Sequence, residues 1–270
     1  ETGVHVGVAT PADAVRRDFD AVLLACGALA PRDMQAPGRH LTGIHFAYDY
    51  LVQQNRVCAG LDAGPTRIDA AGKDVVIIGG GDTGADCFGT ALRQGARSVR
   101  QLDLYPAPPG VRSPDNPWPE WPRIFRLGPA HAEGGERAFE VRTEAFEGDA
   151  HGAVQALSVV QVDVQGHGGS RRVTPRPGTA QHLPAQLVLL AVGFFGPEPD
   201  GLVRALGLPL TERGTAACDA EGRTVIPGVW ATGDMTRGAS LIVWAIADGR
   251  RAAASVDAAL RGTARPHGCA

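Results

Sequence analysis

The chain has 270 residues, which is enough for one large domain or two small ones. Glycine supplies 36 of them and proline 20, above average shares of about 7% and about 5%. Since 44% of the residues are apolar and 20% are charged, the composition predicts a folded core. The net charge of −3 argues against nucleic acid or an acidic membrane as a partner, and no apolar run approaches the ~20 residues of a membrane helix.

The five cysteines are widely spaced, and none of them form a CxxC pair. This spacing predicts neither a metal site nor an iron–sulfur site, and the odd number is typical of reduced thiols. No signal peptide opens the chain, so we expect a cytoplasmic location. Because residue 1 is Glu1 and not methionine, we also expect the sequence to begin inside a longer protein.

Two apolar segments resemble one another, FDAVLLACGA at 19–28 and AQLVLLAVGF at 185–194. A continuous apolar run predicts a strand that is buried on both faces. Each run ends in Ala-x-Gly, at Gly27 and Gly193. The pattern is explained either by an internal repeat of two related α/β domains or by two unrelated buried strands.

A β-α-β unit lies between these segments. The apolar run 74–78 leads directly into GGGDTG at 79–84, and apolar residues at helical spacing follow. Gly95 stands where a glycine ends a helix, and the run 98–104 predicts a second strand.

The GGGDTG segment matches the dinucleotide fingerprint G-x-G-x-x-G. Gly79 permits the tight turn, Gly81 lets the backbone approach a pyrophosphate, and Gly84 lets the helix pack closely on the strand. The helix N-terminus adds free N–H groups and a partial positive charge for the phosphates. The sequence therefore predicts a dinucleotide site at this turn.

The choice of dinucleotide stays open at this point. Asp103 follows the second strand at the position of the acid that binds a ribose diol, although a solvated acid at a strand end explains it equally. Several nearby arginines could instead hold a 2′-phosphate: Arg93, Arg97, Arg100 and Arg112.

The middle of the chain predicts antiparallel strands and a proline-rich loop. Polar turns near 147–152 and 165–171 bound the apolar runs 153–164 and 171–173. The loop PWPEWP at 117–122 cannot be a central strand. It is either a surface loop clamped by aromatic packing, or a wall near the nicotinamide or a docking surface for a partner.

A third turn lies near the C-terminus. Residues 229–230 end a strand, ATGD follows at 231–234, and a helix is predicted over 239–260 with one apolar face. Asp234 could accept a hydrogen bond from a ribityl hydroxyl, while the amides of Ser240 and Leu241 face a flavin ring. No catalytic triad or metal motif is evident, and hydride transfer between nicotinamide and flavin requires no catalytic side chain.

Four segments together closely resemble the small (beta) subunits of glutamate synthase: VVIIGGGDTGADCFGTALRQGARSV (75–99), NPWPEWPRIFR (116–126), LVLLAVGFFGPEP (187–199) and GVWATGDMTRGASLIVWAIADGRRAA (228–253). The resemblance covers nearly the whole chain. It implies hydride transfer from NAD(P)H to FAD and a large (alpha) subunit as partner. Electrons would pass on through iron–sulfur clusters, held only in an N-terminal part that is missing here, for glutamate synthesis from glutamine and 2-oxoglutarate.

The resemblance also implies roles for individual residues. It assigns NAD(P)H contacts to Gly79, Gly81, Asp82, Thr83, Gly84, Ala191 and Gly193. It assigns FAD contacts to Gly27, Gly233, Asp234, Ser240 and Leu241. The segment Tyr105-Pro106-Ala107 replaces an arginine pair that some relatives use for the 2′-phosphate, so NADP selectivity is not implied.

We therefore expect an α/β protein in which a Rossmann-like NAD(P)H domain (68–196) is inserted into an incomplete Rossmann-like FAD domain (1–67 and 197–262), followed by a disordered tail (263–270). The distance from Gly79 to Gly193 would place the matching FAD fingerprint before residue 1. Two alternatives remain: a related NAD(P)H:ferredoxin-type flavin oxidoreductase subunit, and a dinucleotide-binding module without turnover of its own.

Overall fold

The computed structural model describes residues 1–64, 66–166 and 171–262, so the expected tail at 263–270 lies outside the described residues. The chain forms two compact units, Asp33–Val192 and the pair Glu1–Arg32 with Gly193–Ala270. The first boundary lies well before the expected 67/68 junction. The reason is that residues 44–58 contribute a strand and a helix to the sheet of the Asp33–Val192 unit.

A parallel sheet of five strands forms the centre of the Asp33–Val192 unit. These strands are β2 (Ile44–Phe46), β3 (Asp74–Ile78), β4 (Ser98–Leu102), β5 (Glu136–Ala138) and β10 (Leu187–Leu190). They lie in the order β2-β10-β3-β4-β5. Its helices are α2 (Ala47–Cys58), α3 (Asp82–Arg93) and α4 (Pro129–Ala132). All four residues of β10 are buried, as the continuous apolar run predicts.

Alternate residues of β3 pack on opposite sides of this sheet. Val75 and Ile77 join Tyr50 and Phe88 in a core beneath the helices. Val76 joins a second core shared with an antiparallel sheet. That sheet consists of β6 (Val141–Gly148), β7 (Val154–Gln165), β8 (Arg172–Pro175) and β9 (Gln181–Pro184). The predicted antiparallel strands are thus confirmed, and the predicted turn at 165–171 lies partly outside the described residues.

The other unit contains two parallel strands, β1 (Val22–Leu24) and β11 (Val229–Ala231). Its helices are α1 (Ala12–Asp18), α5 (Arg204–Leu206), α6 (Asp234–Arg237) and α7 (Ile242–Leu260), and a π-helical turn spans Pro199–Val203. The expectation that β1 is buried on both faces is wrong, since Leu23 is 40% exposed. Among the described residues, β1 pairs with β11 alone.

Helix α7 does not bury the apolar face that its sequence pattern shows. Its buried residues are Asp248, Ala252 and Ser255, whereas Ile242 and Ile246 are exposed. The apolar stripe therefore remains without a covering element in the described part of the chain. Within that part, no helix is both long and apolar enough to span a membrane.

Candidate functional site

The fingerprint turn lies directly after β3, the middle strand of the parallel sheet. Gly79 has φ +126°, a conformation that L side chains rarely adopt. A Cβ atom at this position would lie 2.2 Å from the carbonyl oxygen of Ala191. Backbone conformation and the neighbouring strand therefore both require glycine here.

Gly81 differs from Gly79, because nothing in the described protein requires a glycine there. Its backbone angles (φ −82°, ψ −176°) are open to any residue, and a Cβ atom there would have no neighbour within 4 Å. Gly81 caps α3, and no side chain bonds to the N-terminal amides of that helix. The turn thus leaves free N–H groups beside open space, the arrangement that a pyrophosphate needs.

The remaining fingerprint residues begin helix α3. Asp82 is its first residue, Thr83 follows, and Gly84 is buried against the turn. A Cβ on Gly84 would lie 2.4 Å from the carbonyl oxygen of Gly79 and 2.5 Å from Nε2 of Gln101. Gly84 therefore permits the close packing of helix and strand that its place in the fingerprint predicts.

Asp103 lies against the same turn. A Cβ on Gly80 would lie only 1.7 Å from Oδ2 of Asp103, so the carboxylate occupies the place of a side chain at Gly80. The backbone N–H of Tyr105 donates to Oδ1 at 3.0 Å. Oδ2 receives no hydrogen bond from the described residues, which leaves it free to accept one from a ribose hydroxyl. The fingerprint did not single out Gly80, although its closeness to Asp103 requires a glycine.

The four arginines suggested by the sequence have other partners. Arg93 pairs with Glu133, Arg97 with Asp74 and Arg100 with Glu136. Arg112 donates from Nη1 to the backbone carbonyls of Asn116 and Glu120, at 2.9 Å each. Of the four, Arg93 lines a cavity beside the turn.

This cavity has a volume of about 610 Å³ and is lined by Gly80, Gly81, Asp86, Phe125 and two further arginines, Arg126 and Arg137. The guanidinium of Arg126 lies over the Trp121 ring at 4.5 Å, and that of Arg137 lies over Phe125 at 5.1 Å. Neither forms an ion pair with a described carboxylate. The cavity therefore combines apolar walls, which suit an aromatic base, with cationic groups, which suit a phosphate.

Two residues that the motifs did not indicate lie beneath the turn. Gln101 is 1% exposed, and its Nε2 donates to the carbonyl oxygen of Gly79 at 2.7 Å. Its Oε1 is 2.7 Å from Nε2 of His131, in α4. Burial lowers the pKa of His131, and the charge of Arg137 lowers it further. The sequence did offer one signal for Gln101, because a polar glutamine inside a buried strand is unusual.

Ala191 and Gly193 follow β10. The N–H of Ala191 donates to the carbonyl oxygen of Ile78 at 2.8 Å, which sets it beside the fingerprint turn in the Asp33–Val192 unit. Gly193 has φ +91° and belongs to the other unit, where its carbonyl oxygen accepts from the N–H of Arg32 at 2.9 Å. Their contact with NAD(P)H remains a prediction.

The predicted flavin residues lie after β11. Gly233 has φ +70° and turns the chain into α6, which begins at Asp234, three residues after the end of β11. The Ser240 hydroxyl donates to Oδ1 of Asp234 at 3.0 Å, and this bond joins two of the predicted contacts. Oγ1 of the buried Thr232 has no hydrogen-bond partner in the described protein.

Leu241 caps the 19-residue helix α7 and is 64% exposed. The first amides of such a helix carry a partial positive charge that suits the anionic reduced flavin. Buried Asp248 joins α6 to α7, because both of its oxygens accept from Arg237, at 2.7 and 2.8 Å, and one also accepts from Arg251. These arginines lower the pKa of Asp248, with the hydrogen bond from Arg237 as the largest cause.

Gly27, in the first Ala-x-Gly segment, has φ +74°, and a Cβ atom there would meet nothing within 4 Å. The conformation requires glycine, and the open space is compatible with a ligand. This unit offers the Asp234 carboxylate, the Ser240 hydroxyl and the first amides of α7. These groups fit the ribityl and ring part of FAD. No second G-x-G-x-x-G occurs in the 270 residues that would serve its pyrophosphate.

The PWPEWP loop is ordered by a buried asparagine. Asn116 is 1% exposed, and its side chain bonds to Glu120, to the Trp121 carbonyl and to the Arg123 N–H. Trp118 is nevertheless 83% exposed and Trp121 73% exposed. The loop is thus held by hydrogen bonds more than by aromatic packing. Within the described residues, no cluster of three or more His, Cys, Asp or Glu could hold a metal ion.

Comparisons with known proteins agree with this geometry. Residues 140–249 match the family model "Pyridine nucleotide-disulphide oxidoreductase". The chain is 50% identical over 265 residues to "Glutamate synthase [NADPH] small chain" of Mycobacterium tuberculosis, covering 97% of this chain and 53% of that protein. It is 38% identical over 259 residues to "Glutamate synthase [NADH]" of Schizosaccharomyces pombe, covering 93% of this chain and 12% of that protein.

Among solved structures, the chain is similar to Mycobacterium tuberculosis FprA in complex with NADPH, with a TM-score of 0.65 at 19% identity. The match covers 95% of this chain and 68% of FprA. This likeness confirms the α/β fold class. The chain spans about half the length of the M. tuberculosis small chain. Over nearly all of its length the chain is similar to glutamate synthase small chains, and its fold is similar to that of FprA.

Proposed function

We propose that this chain forms the NAD(P)H-binding and flavin-binding part of a glutamate synthase small subunit and transfers hydride from NAD(P)H to FAD. The fingerprint turn carries the proposal: Gly81 is a glycine that neither the backbone nor any described neighbour requires. A bound pyrophosphate would explain the glycine at this position, because it has to approach the backbone closely. The sequence similarity to glutamate synthase small chains supports the same reaction.

FAD supplies the acceptor for the hydride when it is bound. Asp234 would accept a hydrogen bond from a ribityl hydroxyl, with Ser240 holding its carboxylate in place. The amides at Ser240 and Leu241 would lie beside the ring, and Gly27 and Gly233 would leave room for it. No side chain need move a proton, so we assign no catalytic residue.

We further propose that the dinucleotide is NADH. Oδ2 of Asp103 has no donor among the described residues and would accept from the ribose 2′-hydroxyl, whereas a 2′-phosphate beside it would be repelled. Two observations oppose NADH. Arg126 and Arg137 could neutralise a 2′-phosphate in the cavity, and the M. tuberculosis relative at 50% identity is named an NADPH enzyme. Binding constants for NADH and NADPH, measured on the same preparation, decide between them.

In the cell, the partner would be the large subunit, which would receive the electrons through iron–sulfur clusters and use them to form glutamate from glutamine and 2-oxoglutarate. The similarity to glutamate synthase small chains supports this partner. A cytoplasmic location is compatible with the exposed free thiols of Cys26, Cys58 and Cys218. Neither a membrane nor a nucleic acid is part of the proposal.

The test is the anaerobic reduction of FAD by NADH in the presence of the purified chain. The loss of oxidised-flavin absorbance measures the rate of this reduction. We expect faster reduction than in free solution and weaker flavin retention in Asp234→Ala. The matched control is Asp257→Ala, which removes an exposed carboxylate on α7 that pairs with Arg261. Binding of NADH without any flavin binding would favour the module without turnover, and binding of neither would contradict the proposed function.

A further inference from the structure

The peptide between Gly79 and Gly80 is unusual in having a glycine on each side. A peptide flanked by two glycines can rotate as a unit at little steric cost, because neither residue has a Cβ. Rotation would exchange the directions of the Gly79 carbonyl and the Gly80 N–H. A phosphate-binding turn needs that N–H in a single direction, so the protein must fix the peptide by other means.

Gln101 fixes this peptide from below. Its Nε2 donates to the carbonyl oxygen of Gly79 at 2.7 Å, and its side chain is 1% exposed. In a planar trans peptide the C=O and N–H point in opposite directions. Holding the Gly79 oxygen against Gln101 therefore directs the Gly80 N–H away from the sheet interior. Gly84 leaves room for this bond, since a Cβ there would lie 2.5 Å from Nε2 of Gln101.

His131 fixes the orientation of Gln101 in turn. Because Nε2 of Gln101 donates to Gly79, its Oε1 must be the acceptor for His131, whose Nε2 lies 2.7 Å away. The neutral imidazole therefore carries its proton on Nε2. The ring packs against Phe88 with centroids 5.0 Å apart, and buried Nδ1 has no partner in the described protein.

We propose that Gln101 and His131 are positioning residues that hold the Gly79–Gly80 peptide in the orientation that binds the dinucleotide pyrophosphate. This inference rests on the proposed function, because it needs a dinucleotide at the turn. Gln101 is buried and His131 lines the cavity beside the turn, and we assign neither side chain a contact with the reacting atoms. Their loss should weaken every ligand that carries the pyrophosphate, NADH and ADP alike, and should leave the preference at the ribose 2′-position unchanged.

A matched pair of variants tests the proposal. His131→Gln keeps an amide N–H at the distance of Nε2, whereas His131→Leu removes the donor, and both lose the ring contact with Phe88. We expect His131→Leu and Gln101→Met to weaken NADH and ADP by about three- to tenfold, the effect of one lost hydrogen bond. His131→Gln should stay within about twofold of the parent. Calorimetric titration gives the affinities, and urea unfolding checks that each variant is folded.

Several outcomes would overturn the proposal. One is equal NADH affinity in the parent and in folded His131→Leu and Gln101→Met, which would leave the proposed function intact. Another is an equal loss in His131→Gln and His131→Leu. Should the variants fail to fold, nitrogen NMR of the histidine-labelled parent still reports the tautomer. An Nε2–H proton on His131 is the expected result, and a proton on Nδ1 instead would contradict it. A parent chain that binds no NADH would contradict the proposed function itself.

Discussion

The variant Gly81→Ala tests whether the glycine at this position is needed for ligand binding or for the stability of the fold. The backbone of Gly81 is in an ordinary extended conformation, and the added methyl group would meet no atom within 4 Å. Replacing glycine by alanine at a helix N-cap lowers the free energy of unfolding by about 0.5–1 kcal/mol. The alanine also restricts the unfolded chain, which raises the free energy of unfolding by about 0.4–1 kcal/mol. We therefore expect the free energy of unfolding to change by less than about 1 kcal/mol.

Binding should respond far more strongly. The methyl group would lie on the open side of the turn, where a pyrophosphate has to approach the amides. The loss of one hydrogen bond to a charged group costs about 1.5–3 kcal/mol, which corresponds to roughly a ten- to hundredfold weaker affinity for NADH. Urea unfolding and calorimetric titration of the same preparation measure the two quantities.

Gly84→Ala is the comparison variant, and it should lose stability as well as NADH affinity. Its Cβ would lie 2.4 Å from the carbonyl oxygen of Gly79, and overpacking of this kind costs about 1–3 kcal/mol of stability. NADH affinity should fall because the same Cβ would also lie 2.5 Å from Nε2 of Gln101. Normal NADH affinity in a stable Gly81→Ala protein would refute the reasoning, because it would show that no ligand approaches the backbone at Gly81.

Three further variants test separate parts of the structure. Asp103→Asn should weaken NADH binding by about tenfold and leave NADPH binding equal or stronger, as titrations with both would show. Asp248→Asn should lower the free energy of unfolding by about 2 kcal/mol, less than for a fully buried pair because Arg237 is partly exposed. Since the pKa of Asp248 is lowered, this difference should begin to shrink as the pH falls below about 4 and should vanish only below the pKa of the folded protein. The pKa of His131 is also lowered, so stability should fall as pH drops below about 6.5, and His131→Gln should reduce that slope. An unchanged slope would mean that His45, whose pKa is lowered as well, accounts for it.

The strand, turn, helix and second strand around the fingerprint could be predicted from local sequence. A buried parallel strand, a glycine turn and an amphipathic helix follow from apolar periodicity and from glycine's freedom at positive φ. Helix α3 ends at Arg93, with Gly95 just beyond it at φ +81°, as the sequence indicates. These features depend on neighbours within a few residues, which is why periodicity and spacing are sufficient.

Other features depended on residues far apart in sequence. The boundary at Arg32 arises because β2 pairs with β10, about 140 positions later, and no local pattern reports that pairing. The same holds for the four arginines near β4, whose partners were not visible from spacing. Periodicity predicts the apolar face of α7, but it cannot say whether another element covers that face.

The sequence by itself determined that a glycine fingerprint turn follows a buried strand, because that motif is encoded within a few consecutive residues. Only the tertiary structure decided which groups act on the turn. Asp103 lies against Gly80, and Gln101 with His131 holds the peptide beneath it, because β4 and α4 bring them to the end of β3. Hydrogen bonds between residues 22 and 30 positions apart depend on folded geometry, which spacing along the chain does not specify.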